Sequence, residues 1–204
     1  MTIKNIVFDL GGVLVDWNPR YLYNKIFDKQ EEVDWFLNNI CTSHWNAQQD
    51  AGRTMEEATS MLVERHPEYT SEIQAYYNRW TEMLNGPVQG SVQILEDIMN
   101  RGNHRLLALT NWSGETFPTA LEMFDFLHWF EGIVVSGDEK LIKPDRRIFQ
   151  LMFRRHQVEP QHSIFIDDSL PNVKAARELG MRALHFTDPD TLKQQLKEHG
   201  VMPP

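Results

Sequence analysis

Ile3-Lys4-Asn5-Ile6-Val7-Phe8-Asp9-Leu10-Gly11-Gly12 opens the chain with a β-branched and aromatic run that stops at an aspartate and a glycine pair. A short apolar run bounded by turn residues predicts a buried strand ending in a glycine turn. Beyond it the pattern becomes helical. Asn18 is a good N-cap and Pro19 a good first helical residue, and apolar side chains then recur at helical spacing to about Leu84. Thr54-Met55-Glu56-Glu57 fits a capping box after the break at Gly52-Arg53. Trp35, Phe36, Trp45, Met61, Leu62, Tyr76, Tyr77 and Trp80 supply the apolar faces. So long a helical block is too large for a loop, which predicts a small all-helical domain inserted after the first strand.

Asn85-Gly86-Pro87 closes the insert, and helix then alternates with strand. Helices are expected over 88–100, 116–123, 146–155 and 172–179. Strands are expected over 105–109, 132–136, 163–166 and 182–186, and Asp188-Pro189 caps a last amphipathic helix. Repeated βα units imply an α/β fold with a mostly parallel sheet covered by helices on both faces. Residues 1–17 and 85–204 would form the core and 18–84 the helical insert.

The bulk composition is compatible with this and narrows function. A chain of 204 residues supports one well-formed core with a small insert. The net charge of −9 argues against nucleic-acid partners, and an anionic substrate must then be held by a few local cations. The one cysteine, Cys41, excludes an intramolecular disulfide, suits a reducing compartment and reads as a buried structural thiol. The N-terminus lacks a basic region followed by an apolar run, and no apolar run approaches the ~20 residues needed to span a bilayer. A cytoplasmic protein without a membrane partner, monomeric or homodimeric, is expected.

In open parallel sheets the ligand site lies beyond the carboxyl ends of the strands. Asp9 follows the first strand, Thr110-Asn111 the second and Asp167-Asp168 the fourth, while the loop after the third carries Lys143-Pro144. These types suit phosphoryl transfer. An aspartate is ionised at neutral pH and needs no base to act as nucleophile. Clustered carboxylates repel unless a hard cation lies between them, and magnesium, with its preference for oxygen ligands, suits Asp9 and Asp168 with Asp167 in support. Lys143 and the Thr110 hydroxyl would hold the phosphate, whose transition state spreads charge over its peripheral oxygens. Asn111 would either orient phosphate or cap the following helix.

The same residues resemble the haloacid dehalogenase-like hydrolase superfamily. Phe8-Asp9-Leu10-Gly11-Gly12-Val13-Leu14 matches its first motif, Leu109-Thr110-Asn111 the second, Lys143-Pro144-Asp145 the third and Phe165-Ile166-Asp167-Asp168-Ser169 the fourth. The resemblance implies a Rossmann-like core, a helical cap over the site and an aspartyl-phosphate intermediate on Asp9. It also implies a magnesium site made by Asp9, the Gly11 carbonyl, Asp168 and Asp167, with Thr110 and Lys143 on the phosphate. Asn172 stands where relatives often place another acid.

One departure is consequential. Phosphatases of this superfamily usually carry a general acid where this chain has Gly11, and general acid catalysis is typically worth ~10²–10⁴-fold. A good leaving group lessens that loss, so a sugar 1-phosphate is the favoured substrate among small phosphate esters. Asp16 is a candidate substitute acid, and Trp17, Arg20, Trp45 and Arg53 are cap residues with a possible view of substrate. Two rival readings are a 2-haloacid dehalogenase and a non-catalytic module that binds a phosphorylated ligand. The acidic pair and the lack of a tyrosine at position 11 weigh against the first, and intact Asp9 and Lys143 weigh against the second.

Overall fold

The computed structural model describes residues 2–203. Among the described residues there are seven strands: β1 (Asn5–Phe8), β2 (Val15–Trp17), β3 (Leu84–Pro87), β4 (Arg105–Thr110), β5 (Gly132–Val135), β6 (Ser163–Asp167) and β7 (Arg182–His185). Five of them form one parallel sheet in the order β5-β4-β1-β6-β7. The first strand is therefore the central one, in keeping with the burial of all four of its residues.

Alternation along the central strands divides the core into two layers. Ile6, Phe8, Leu106, Ala108, Ile164 and Ile166 point to one face, with Val7, Leu107, Leu109 and Phe165 on the other. Helices Arg146–His156 and Leu170–Glu178 cover the second face with Ile148, Phe149, Met152, Val173 and Ala176. On the first, helix Gln89–Arg101 contributes Ile94, Leu95 and Ile98, and helix Pro189–Glu198 contributes Leu192 and Leu196. This is the α/β, Rossmann-like architecture expected from the sequence. No helix among the described residues is long and apolar enough to cross a membrane.

Residues 20–83 are helical, built from helices Arg20–Tyr23, Gln30–Asn39, Ser43–Asp50, Met55–Arg65 and Thr70–Asn78 with short 3₁₀ turns. Aromatic packing holds them together: Tyr23 lies 4.8 Å from Phe36, and Trp45 meets Tyr76 edge-on at 5.0 Å. Cys41 is buried here, and burial pushes its thiol up to about 12, so it is inert. The capping box at Thr54 is half formed, since its hydroxyl accepts from Glu57 N at 3.1 Å. The first helix begins one residue later than the sequence reading has it, with Pro19 rather than Asn18 at the N-cap position, and Asn18 Oδ1 accepts from Arg20 N.

Strands β2 and β3 are additions to the sequence reading, which assigns no element to residues 15–17 and takes Asn85-Gly86-Pro87 only as the close of the insert. They pair antiparallel, Val15 opposite Pro87 and Asp16 opposite Gly86, where the chain enters and leaves the helical insert. Each is too short for an alternation pattern, and Gly86-Pro87 argues against a strand locally. Their pairing follows from bringing the two ends of the insert together.

Candidate active site

Register brings the first two acids together. Phe8 stands opposite Ile166 in the β1–β6 ladder, and Asp9 N donates to Ile166 O at 2.8 Å, so Asp9 and Asp167 leave the sheet side by side. Asp168 follows on the same turn. Oxygen atoms of Asp9, Asp167 and Asp168 all lie within 4.8 Å of one another. Gly12 makes room for this, because its φ is +74° and a Cβ there would stand 2.4 Å from Asp168 Oδ2.

Lys143 joins the cluster from the loop after β5. Its Nζ is buried and lies 2.9 Å from Asp9 Oδ2 and 2.7 Å from Asp167 Oδ2. Asp9 Oδ1 accepts from Leu10 N at 2.8 Å. Asp167 is more heavily engaged: it also accepts from Ser169 N and from Asn172 Nδ2, the latter at 3.0 and 3.1 Å. Asp167 thus fixes Lys143 and takes Asn172 as a neutral support, whereas Asp9 and Asp168 carry fewer protein contacts.

Two buried carboxylates and the more exposed Asp168 face one buried ammonium, and the charge does not balance. Burial alone would lower Lys143, but Asp9 and Asp167 outweigh it, and its pKa is raised. Burial pushes Asp9 up; Lys143 opposes this, and Asp167 and Asp168 add to it. Asp168 is likewise raised by burial and by Asp167. A divalent cation would supply the missing positive charge, and an all-oxygen donor set fits magnesium.

Thr110 gives a second, independent sign of a ligand. At the end of β4 its side chain is fully buried, and Oγ1 finds no hydrogen-bond partner among the described residues. An orphan of this kind costs about 1–3 kcal/mol and calls for a ligand atom or another functional reason. The Asn111 side chain is engaged by the loop that carries Lys143. Its Oδ1 accepts from Lys143 N at 2.8 Å and its Nδ2 donates to Lys143 O at 3.0 Å, locking the backbone of the lysine loop.

Gly11 and Asn111 border a cavity of about 80 Å³. Its floor includes Gly11 and Asn111, its walls Trp17 and Trp112, and the helical insert contributes Asn46, Asp50, Tyr77 and Trp80. A Cβ at Gly11 would meet nothing within 4 Å, so the space that an acid at this position would fill is open. Of the four residues given a view of substrate from the sequence, Trp17 alone lines this cavity. Arg20 pairs with Asp34, Trp45 belongs to the aromatic core, and Arg53 binds Gln49 and the Trp45 carbonyl. Asp16 accepts from Tyr21 and Asn85 and is not part of the cavity wall. The sequence shows Tyr77 and Trp80 only as apolar packing faces, and Asn46, Asp50 and Trp112 escaped the sequence reading, because these residues come from separate elements with no common spacing. Asp50 alone had a local signal, an acid closing a helix just before Gly52, where the helix dipole disfavours it.

A family model for haloacid dehalogenase-like hydrolases matches residues 6–186, from β1 to just beyond β7. A sesquiterpene phosphatase of Aspergillus oryzae is 29% identical over 187 residues, covering 92% of this chain and 91% of its own. A drimenol cyclase of Aspergillus calidoustus is 26% identical over 196 residues, and there the match takes 95% of this chain but only 36% of the larger protein. Among solved structures, a HAD family enzyme from Bacteroides thetaiotaomicron, in complex with magnesium and inorganic phosphate, superposes with a TM-score of 0.67. It is 24% identical, and the match covers 91% of this chain and 95% of that one, a likeness of fold.

Proposed function

The chain belongs to the haloacid dehalogenase-like hydrolases, and from that premise we propose that it is a magnesium-dependent phosphatase acting on a small phosphate monoester through an aspartyl phosphate on Asp9. The observation that carries the reading is the convergence of Asp9, Asp167 and Asp168 around one buried lysine, with the orphaned Thr110 hydroxyl beside it at the strand ends. The Aspergillus relative bearing a phosphatase name supports the same reaction class.

In this reading Asp9 Oδ attacks phosphorus while Lys143 and the Thr110 hydroxyl hold the peripheral oxygens. Asp9 and Asp168, with the Gly11 carbonyl, would hold magnesium, which neutralises phosphate charge and keeps the carboxylates ionised when bound. Asp167 holds Lys143 on target, and Asn111 fixes the backbone that carries it. We take residues 18–84 as the cap and residues 1–17 with 85–204 as the core. The leaving group then lies in the cavity between them, against the aromatic faces of Trp17, Tyr77, Trp80 and Trp112 and the polar edges of Asn46 and Asp50. A sugar 1-phosphate suits both: its ring has an apolar face for stacking, and its anomeric hydroxyl leaves more readily than an ordinary alcohol.

The test is phosphate release from hexose 1-phosphates, hexose 6-phosphates, isoprenoid phosphates and nucleotides, with magnesium or chelator, beside Asp9→Asn. Magnesium-dependent turnover lost in the variant is expected, with preference for 1-phosphates. Metal-independent halide release from a haloacid, with no ester cleaved, would sink the phosphatase reading.

A further inference from the structure

Gly11 leaves the reaction without the acid that an alkyl leaving group needs, and the space beside it is open. Across that same cavity stands Asp50, the last residue of helix Ser43–Asp50. Its placement is costly in two ways. An acid at a helix C-terminus opposes the helix dipole, and this one is largely enclosed without a cation. Arg53, the nearest basic residue in sequence, is turned onto Gln49 and the Trp45 carbonyl. In helix Ser136–Glu139, which packs against it, Glu139 pairs with Arg155 and Asp138 lies against Gly114. The stem of Lys140 crosses Gly52, while helix Thr70–Asn78 presents only Tyr76 and Tyr77, both raised by burial and neutral. Such unfavourable placement of an ionisable group is more often found at functional sites than elsewhere.

The surroundings also hold Asp50 in place relative to the reacting groups. Its backbone carbonyl accepts from Ser136 Oγ at 2.6 Å, and the same Oγ accepts from Trp112 N at 2.9 Å. One hydroxyl therefore ties the end of the cap helix to the loop that follows Thr110 and carries Asn111. On the cap side, Asn46 Nδ2 donates to Asp50 Oδ2 at 3.3 Å, Tyr77 donates to Asn46, and Gln49 donates to Tyr77 at 2.7 Å. This chain orients the carboxyl without neutralising it.

We infer that Asp50 is the acid that protonates the leaving oxygen, supplied by the helical insert in place of the side chain that Gly11 lacks. The inference rests on the phosphatase reading. As the bond from phosphorus to the leaving oxygen breaks and the bond from Asp9 Oδ to phosphorus forms, the proton on the Asp50 carboxyl passes to that oxygen and the alcohol departs. Asp50, now a carboxylate, takes a proton from the water that attacks the aspartyl phosphate. Inorganic phosphate, ionised Asp9 and protonated Asp50 result. Burial pushes the Asp50 carboxyl up to about 7, which keeps a protonated fraction at neutral pH.

The test is the dependence of kcat/KM on the leaving group in Asp50→Asn, which keeps the shape and the Asn46 contact. kcat/KM reports steps through departure of the leaving group and is blind to the later hydrolysis. For an alkyl phosphate a fall of roughly 10²–10⁴-fold is expected, and for 4-nitrophenyl phosphate, whose leaving group needs no proton, a fall of less than about tenfold. The alkaline limb of the wild-type profile should also disappear in the variant. Equal losses on both esters would mean a structural role, and no loss on either would mean none; both outcomes overturn the assignment while leaving the phosphatase reading intact. If the wild-type enzyme cleaves neither ester, the phosphatase reading falls and takes Asp50 with it.

Discussion

Replacing Thr110 with valine should make the protein more stable and less active, a pairing that few substitutions in a core produce. The Thr110 hydroxyl is fully buried and unpartnered among the described residues, so in the free protein it contributes only its desolvation cost. Valine keeps the branched shape and removes the orphan, which should recover about 1–2 kcal/mol of the cost of an unmade hydrogen bond. For a chain of this length each kcal/mol is worth about 2–4 °C, so Thr110→Val should melt roughly 2–8 °C higher. Adding magnesium and inorganic phosphate should narrow the gap, because a ligand that binds the hydroxyl stabilises wild type by mass action and valine forgoes part of that gain. Phosphatase activity should fall by about 10–1000-fold with the loss of a donor to the transferring group. Thermal denaturation with and without phosphate, run beside steady-state kinetics, measures all three. A variant that melts below wild type, or that keeps full activity, would refute the claim that this hydroxyl is held in reserve for the substrate.

Two further outcomes follow from the acidic cluster. Lys143→Met leaves Asp9 and Asp167 without their shared cation and should cost about 3–5 kcal/mol, as removing one partner of a buried ion pair does. The sign of the pH effect is set by Asp9: its folded pKa lies above its unfolded one, so the folded state binds more protons and stability falls as pH rises between the two. Losing Lys143 extends that window upward, and melts in chelator should show a larger deficit at about pH 8 than at about pH 5, partly restored by magnesium. Equal deficits at both pH values would count against the charge imbalance. Gly12→Ala places a Cβ 2.4 Å from Asp168 Oδ2 and forces an L residue to φ +74°. It should cost about 1–2 kcal/mol and displace Asp168, visible as a magnesium requirement for activity shifted roughly tenfold or more; an unchanged magnesium titration would show that Asp168 is not a ligand.

The sequence by itself determined the five strands of the parallel sheet, the helices that alternate with them and the acids at the sheet's carboxyl edge. Each of those is a local property: a run of apolar residues makes a buried strand, and in a parallel sheet every such strand delivers its next residue to the same edge. Asp9, Thr110 and Asp168 were legible for that reason, and Lys143 through its place in the stretch between the third strand and the next helix. Tertiary structure decided what no local pattern encodes. Asn111 binds the Lys143 backbone because two loops from different strands meet, and Asp167 takes up Lys143 and Asn172 because register sets it beside Asp9. Strands β2 and β3 exist because the insert's two ends must close together. Asp50 faces Gly11 across the cavity because the helical insert folds back over the sheet edge, with one hydroxyl of Ser136 bonding to both sides. Side chains far apart in sequence become neighbours only when packing brings their elements together, and neither periodicity nor composition carries that distance.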